Sequence, residues 1–150
     1  MKLRVVATAI GAAAVALVVS SPASAQVVLS KYDHKDPYRS GCASVRRVVE
    51  TAKINSRANG QVGTIRLMWS SKCKTNWIET TTPRSANGTI SVYTAKKHDS
   101  FSFKSGRSKH WGNMLEANNV CAWGSVSIQW NGGRGGQNGS GATDRDGACR

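Results

Sequence analysis

Four cysteines behind an export-type leader constrain this chain more than any other feature. Cys42, Cys73, Cys121 and Cys149 all lie downstream of the leader. An even number of cysteines in an exported chain reads as a framework of two disulfides. Zinc is the weaker reading, because no cysteine sits in a C-x-x-C pair and none has a histidine at finger spacing. Four cysteines allow three connectivities. The sequential pairing, Cys42–Cys73 with Cys121–Cys149, is favoured because it closes two loops of about thirty residues without crossing. Each bridge is then expected to contribute about 3–4 kcal/mol by restricting the unfolded chain.

The leader itself has three parts. Lys2 and Arg4 form a basic start, Val5 to Val19 a small-apolar run, and Ala23-Ser24-Ala25 a small-x-small cleavage site. The run is too short for a membrane span and is broken by Ser20, Ser21 and Pro22. Residues 1–25 therefore read as a cleaved signal peptide, and the secreted protein is expected to start near Gln26. Of 150 residues, 125 remain, enough for one domain with a core and too few for two.

Losing Lys2 and Arg4 takes the formal charge from +13 to +11. A cationic exported protein meets polyanions, so a cell-wall polymer or extracellular nucleic acid is the expected partner. The charge is spread along residues 31–57 and 96–109 rather than blocked, which fits solvated faces of a folded domain better than a disordered arm.

Short alternating segments separated by turns set the fold class. Ile65, Leu67 and Trp69 alternate with Thr64, Arg66 and Met68, the clearest strand in the chain. Ser70 to Lys74 turns it, and Asn76 to Thr82 reads as the antiparallel partner. Asn59-Gly60 marks a tight turn before it. Thr89 to Thr94 and Ser100 to Lys104 are shorter strands. Val120 to Trp130 places apolar residues on one parity, interrupted by Gly124, the sign of a bulge or a close backbone approach. Val45 to Ile54 is ambiguous between helix and strand, with strand preferred in its second half. The pattern predicts an all-β domain over residues 26–130, a small antiparallel sandwich or barrel. Residues 131–150 hold seven glycines and read as a tail with no regular element, anchored by Cys149.

Five tryptophans are a heavy load for this length. Trp69 and Trp130 fit strand-interior core positions. Trp77, Trp111 and Trp123, flanked by Arg66 and Lys109, are the candidate ligand-facing residues, since exposed rings beside cations stack on sugars or bases. A phosphodiester-cleaving site would need two acid–base groups and a cation, for which His98, His110 and Glu79 with Arg66 or Lys109 are available. Nothing in their spacing demands that assembly, so no catalytic residue is assigned. His34, between Asp33 and Asp36, lies in a segment whose lysines weaken a cation site. No nucleophile elbow, phosphate loop or metalloprotease helix is present, and no cofactor or metal is expected.

Three stretches carry a family resemblance. They are Tyr32-Asp33-His34-Lys35-Asp36-Pro37 with Gly41-Cys42; Val62-Gly63-Thr64-Ile65-Arg66-Leu67 with Ser70, Ser71, Cys73 and Thr75-Asn76-Trp77; and His110-Trp111-Gly112-Asn113-Met114-Leu115. Together they resemble the YjfA-like family of small secreted bacterial proteins, a domain of unknown function. Residues 31–80 match well and 110–126 loosely. Met68-Trp69 and Glu79 depart from the pattern. The resemblance implies no catalytic or binding residue, but it supports pairing Cys42 with Cys73.

The expected protein is a secreted, monomeric, non-enzymatic β domain that binds an anionic envelope polymer or surface. A ribonuclease-like hydrolase and a protein-binding module, such as an inhibitor of an exported enzyme, are the alternatives.

Overall fold

The computed structural model describes residues 30–146 and Cys149. The signal peptide expected at residues 1–25 lies outside the described residues. Nine strands are present among the described residues: β1 (Arg46–Ser56), β2 (Gly60–Ser70), β3 (Thr75–Thr81), β4 (Asn87–Thr94), β5 (His98–Phe103), β6 (Lys109–Trp111), β7 (Leu115–Glu116), β8 (Ala122–Gln129) and β9 (Asn138–Ala142). They form one antiparallel sheet in the order β5-β4-β8-β9-β1-β2-β3-β6, with β7 paired to β3 beside β6. The sheet curls into a nearly closed barrel, so the all-β expectation holds and its barrel form is the one adopted. Both disulfides join the favoured partners, Cys42 with Cys73 and Cys121 with Cys149.

The period-two pattern of β2 fills the barrel. Ile65 and Leu67 point inward and meet Ile54 of β1, Ile78 of β3, Ile90 of β4 and Val126 of β8. Each such side chain, wholly withdrawn from water, contributes about 1.5–3 kcal/mol. In β1 a register shift between Val48 and Glu50 lets one residue bulge. The bulge resets the parity, so Val49, Ala52 and Ile54 turn toward the core while Val48 stays exposed. That is why the run from Val45 reads ambiguously as sequence.

A second apolar cluster sits on the outer face of the same strands. Met68 and Trp77 are register partners, and Cys42, Ala43 and Met114 cover them. Residues 30–45, ending in a 3-10 turn at Cys42–Val45, thus form a strap over the outside of β2 and β3. Cys73, in the β2–β3 turn, clamps the strap through Cys42. Trp77 is wholly buried here, and Trp69 is only half-buried outside both clusters. Trp130 is half-buried against the barrel core, as its parity predicts.

The glycine-rich end is not a tail. Residues 138–142 form β9, which pairs with β8 over five positions and with β1 through Asn55 and Ser140. Without it the sheet would open between β8 and β1. Glycine content misleads because close packing, not flexibility, selects glycine here. A Cβ on Gly141 would lie 2.4 Å from the Lys53 carbonyl oxygen. Gly124 in β8 is the close approach its interruption predicts, with a Cβ position 2.2 Å from the Ile78 side chain.

Candidate binding site

Under the strap, Glu79 of β3 gathers the polar groups of the outer face. Its Oε1 accepts from the Tyr38 hydroxyl at 2.7 Å and from Trp77 Nε1 at 3.2 Å. Arg46 Nε lies 3.5 Å from Oε1 and Arg66 Nη2 3.9 Å from Oε2. Burial first, then donation to the Glu79 carboxylate, pushes the Tyr38 phenol up to about 12. Trp111 packs on Tyr38 with ring centroids 4.6 Å apart and donates Nε1–H to Asp36 at 3.1 Å. Arg66, Trp77 and Trp111 are therefore brought together in a network that fastens the strap, in which Arg66 Nε is buried without a hydrogen-bond partner. Trp77, 0% exposed, presents no ring face to a ligand, which corrects its place among the ligand-facing candidates. Lys109, across from Thr81 at the start of β6, is exposed and joins none of these contacts.

The acid–base groups do not assemble. In the β3–β6 ladder Glu79 faces Trp111, and the neighbouring pair is Thr80 with His110. Alternation therefore sends Glu79 and His110 to opposite faces. His110 is buried and stacks on Phe103 with centroids 3.9 Å apart. One histidine contact escaped the sequence reading: His34 Nδ1 pairs with Asp99 of β5, which also receives Asn113 Nδ2 at 3.5 Å. His34 sits at φ 61°, so this link closes a strained turn of the strap onto β5. Among the described residues no group of three His, Cys, Asp or Glu side chains is placed to hold a metal.

The third tryptophan candidate stands elsewhere. Trp123 lies on β8, separated from β3 by β9, β1 and β2, so the three candidate rings share no face. Trp123 instead belongs to a cross-strand row. Tyr93 of β4 is the register partner of both His98 on β5 and Trp123 on β8. The Tyr93 and Trp123 planes are within 14° of parallel at 5.8 Å, and Tyr93 and His98 within 22° at 6.3 Å. The Arg145 guanidinium carbon lies 4.7 Å from the Trp123 ring centre. Hydrogen bonds from Ser125 and Ser91 hold the Tyr93 phenol below its ordinary value, against the effect of burial. Lys96, Arg145 and Lys97, the last paired with Asp33, border with Asp146 a depression of ≈ 960 Å³ beside the row.

An aromatic row bordered by an excess of cations attracts anions that also carry ring or apolar surface. Trp123 carried a signal in sequence. Tyr93 and His98 were not assigned, because their meeting depends on the β4–β5 and β4–β8 registers. Arg145 falls in the glycine-rich end, which β9, the hydrogen bonds of Thr143 and Asp144 to Gly124 and Glu50, and the Cys121–Cys149 bridge bring back over the barrel.

The fold and this row define a small disulfide-stapled β-barrel with a cationic aromatic surface. The chain belongs to the DUF2690 family, described as a protein of unknown function, whose model matches residues 30–122. No curated protein and no solved structure matches it. The family match includes the strap, Tyr93 and His98 and stops before Trp123, Arg145 and β9.

Proposed function

We propose that this chain is a secreted, non-enzymatic barrel that binds an anionic polymer of the cell envelope through the His98–Tyr93–Trp123 row. The carrying observation is the placement of the Arg145 guanidinium over Trp123, next to Lys96 and Lys97. It joins the charge excess of the chain to an aromatic surface that net charge alone does not specify. Secretion is supported by the leader, by the two disulfides, and by the lack among the described residues of a helix long and apolar enough to cross a membrane. The likeness of residues 31–80 to YjfA-like proteins belongs to the same reading. So do a monomeric state and a leader ending at residue 25; the binding domain now extends through β9.

The test is co-sedimentation of the protein lacking residues 1–25 with purified bacterial cell walls. Binding is expected at low ionic strength and release at moderate salt, because exposed charges are screened beyond about 8 Å at physiological ionic strength. Trp123→Ala combined with Arg145→Gln is expected to abolish most of it. Binding indifferent to salt and to both substitutions would dismiss the reading. So would the absence of binding.

A further inference from the structure

The row is one end of a longer trough on the barrel exterior. β4, β5, β8 and β9 alternate, and their outward positions fall into register. Ser91 pairs with Ser100 and with Ser125. One step further, Thr89 pairs with Ser102 and with Ser127, and Ser127 with Ser140. These seven short hydroxyl side chains form a floor that begins where the aromatic row ends. At the far end Asn87 pairs with Gln129, and Gln129 with Asn138. The depressions along this face adjoin. The far one, ≈ 650 Å³ and bordered by Arg57 and Lys104, shares Thr89, Ser127 and Ser140 with a middle one of ≈ 410 Å³. The middle one meets the aromatic end through the Ser91–Ser100 hydroxyl pair, 2.8 Å apart.

Charge is arranged at the ends. Among the described residues no charged side chain lines the middle depression. From Tyr93 to Asn87 the trough runs six residues of strand, about 20 Å. A nucleic acid carries a charge on every nucleotide and is matched by cations that follow its backbone throughout. A floor of hydroxyls and amides with cations at its two ends matches instead a chain rich in hydroxyl groups and sparse in charge. Hydroxyls donate and accept, as do side-chain amides, so both can serve the paired hydroxyls of a sugar. An aromatic row at one end supplies apolar contact to a sugar ring.

We infer that the trough from Trp123 to Arg57 and Lys104 takes a linear acidic glycan lying along β4 and β8. The inference rests on the proposed polyanion function and names the class of polymer.

The probe is hyaluronate, a glycan with one carboxylate per disaccharide, in fragments of graded length, with single-stranded polyuridylate as comparator. Ser127→Tyr blocks the floor at an exposed strand position that tolerates tyrosine, and Arg57→Gln with Lys104→Gln removes the far cations. Circular dichroism and thermal melting confirm that each variant is folded. Affinity of the parent protein is expected to rise with fragment length until the trough is filled. Both variants are expected to bind long fragments about tenfold more weakly while leaving the shortest binder unaffected. Loss of binding only in Trp123→Ala and Arg145→Gln overturns the trough and leaves the aromatic end as the whole site. Polyuridylate binding as tight as long hyaluronate, with equal sensitivity to the floor variant, overturns the glycan assignment. Failure to bind either polymer overturns the trough, and cell-wall sedimentation then decides separately whether the polyanion reading stands.

Discussion

Asp33, in the strap, accepts a hydrogen bond from Lys97 Nζ at 2.6 Å across 64 residues of sequence, with none of the Asp33 side chain exposed. The same carboxylate accepts from the backbone N–H of Glu116 at 2.7 Å and of Ser30 at 3.0 Å. One side chain thus ties together the strap, the β4–β5 turn and β7. Asp33→Asn leaves Lys97 without its partner and is expected to cost about 3 kcal/mol, the scale for breaking a buried pair from one side. Urea unfolding of Asp33→Asn, Lys97→Met and the double variant measures it. A coupling energy near zero would show that the pair is replaceable by water.

The same carboxylate makes the strap acid-sensitive. Burial pushes the Asp33 carboxyl up, but Lys97 and the N–H groups of Glu116 and Ser30 outweigh it and hold it below its ordinary value of 3.8. Asp36 is held low in the same way, with burial opposed by the N–H groups of Arg39 and Tyr38 and by Trp111. A carboxyl with a depressed folded value stabilises above its unfolded value and loses that stabilisation as pH falls through the folded one. Docking of the strap is therefore expected to be constant well above pH 3.8 as far as these two groups are concerned, and to weaken as pH falls through 3.8 towards the lower folded values. Trp77 fluorescence, shielded by the strap, reports the change. A signal unchanged down to pH 2, with the barrel still folded, contradicts it.

The two disulfides are expected to separate stability from binding. Loops of 31 and 28 residues give similar entropic contributions, about 3–4 kcal/mol each. Of the two bridges, Cys121–Cys149 is the one that closes on the segment carrying Arg145, adding to the hydrogen bonds of Thr143 with Gly124 and of the Asp144 N–H with Glu50. Cys121→Ser with Cys149→Ser should weaken polymer binding as Arg145→Gln does, whereas Cys42→Ser with Cys73→Ser should lower the melting temperature and spare binding in the folded fraction. Equal losses of binding in both pairs would refute the assignment of Arg145.

What could be read in advance divides along physical lines. The β2 strand and its return through Trp77 were legible because Ile65 and Leu67 repeat at the pleat period and a turn follows. The disulfide partners were legible because short sequential loops close at least cost. β9 was not, because glycine reads the same whether it is selected by freedom or by a neighbouring backbone; only the Lys53 carbonyl distinguishes the two. The aromatic row was half legible. Trp123 stands out by residue type, while Tyr93 and His98 join it through registers that no single strand encodes. Trp77 is buried because a strap covers the outer face of β3, and a period-two pattern cannot show which face will be covered.

Gly141→Ala tests the reading of β9 directly. The added methyl meets a backbone carbonyl, which cannot swing aside as a flexible side chain can. The substitution is expected to cost about 1–3 kcal/mol, on the scale of overpacking a filled interior. Gly132→Ala, at φ 71° with open space around it, should cost less and through backbone strain alone. Thermal melting of the two variants ranks them, and the reverse order would mean that β9 does not pack against β1.

His110 gives the barrel a second pH dependence, with its own window. The ring is buried against Phe103, and Nε2–H donates to the Arg107 carbonyl at 2.9 Å, an arrangement that suits the neutral imidazole. Burial is the largest influence and lowers its pKa; the hydrogen bond opposes it, and the Arg107 charge adds to the lowering. The folded value therefore lies below the ordinary 6.5. Stability from this group is complete above pH 6.5 and is lost as pH falls through the lower folded value, because the unfolded chain takes up the proton first. His110→Phe keeps the stacked ring and removes the proton site. The urea midpoint of the parent protein is expected to fall as the pH drops below 6.5, and that of His110→Phe to fall less over the same interval. If the two curves run parallel, His110 is not a source of the slope.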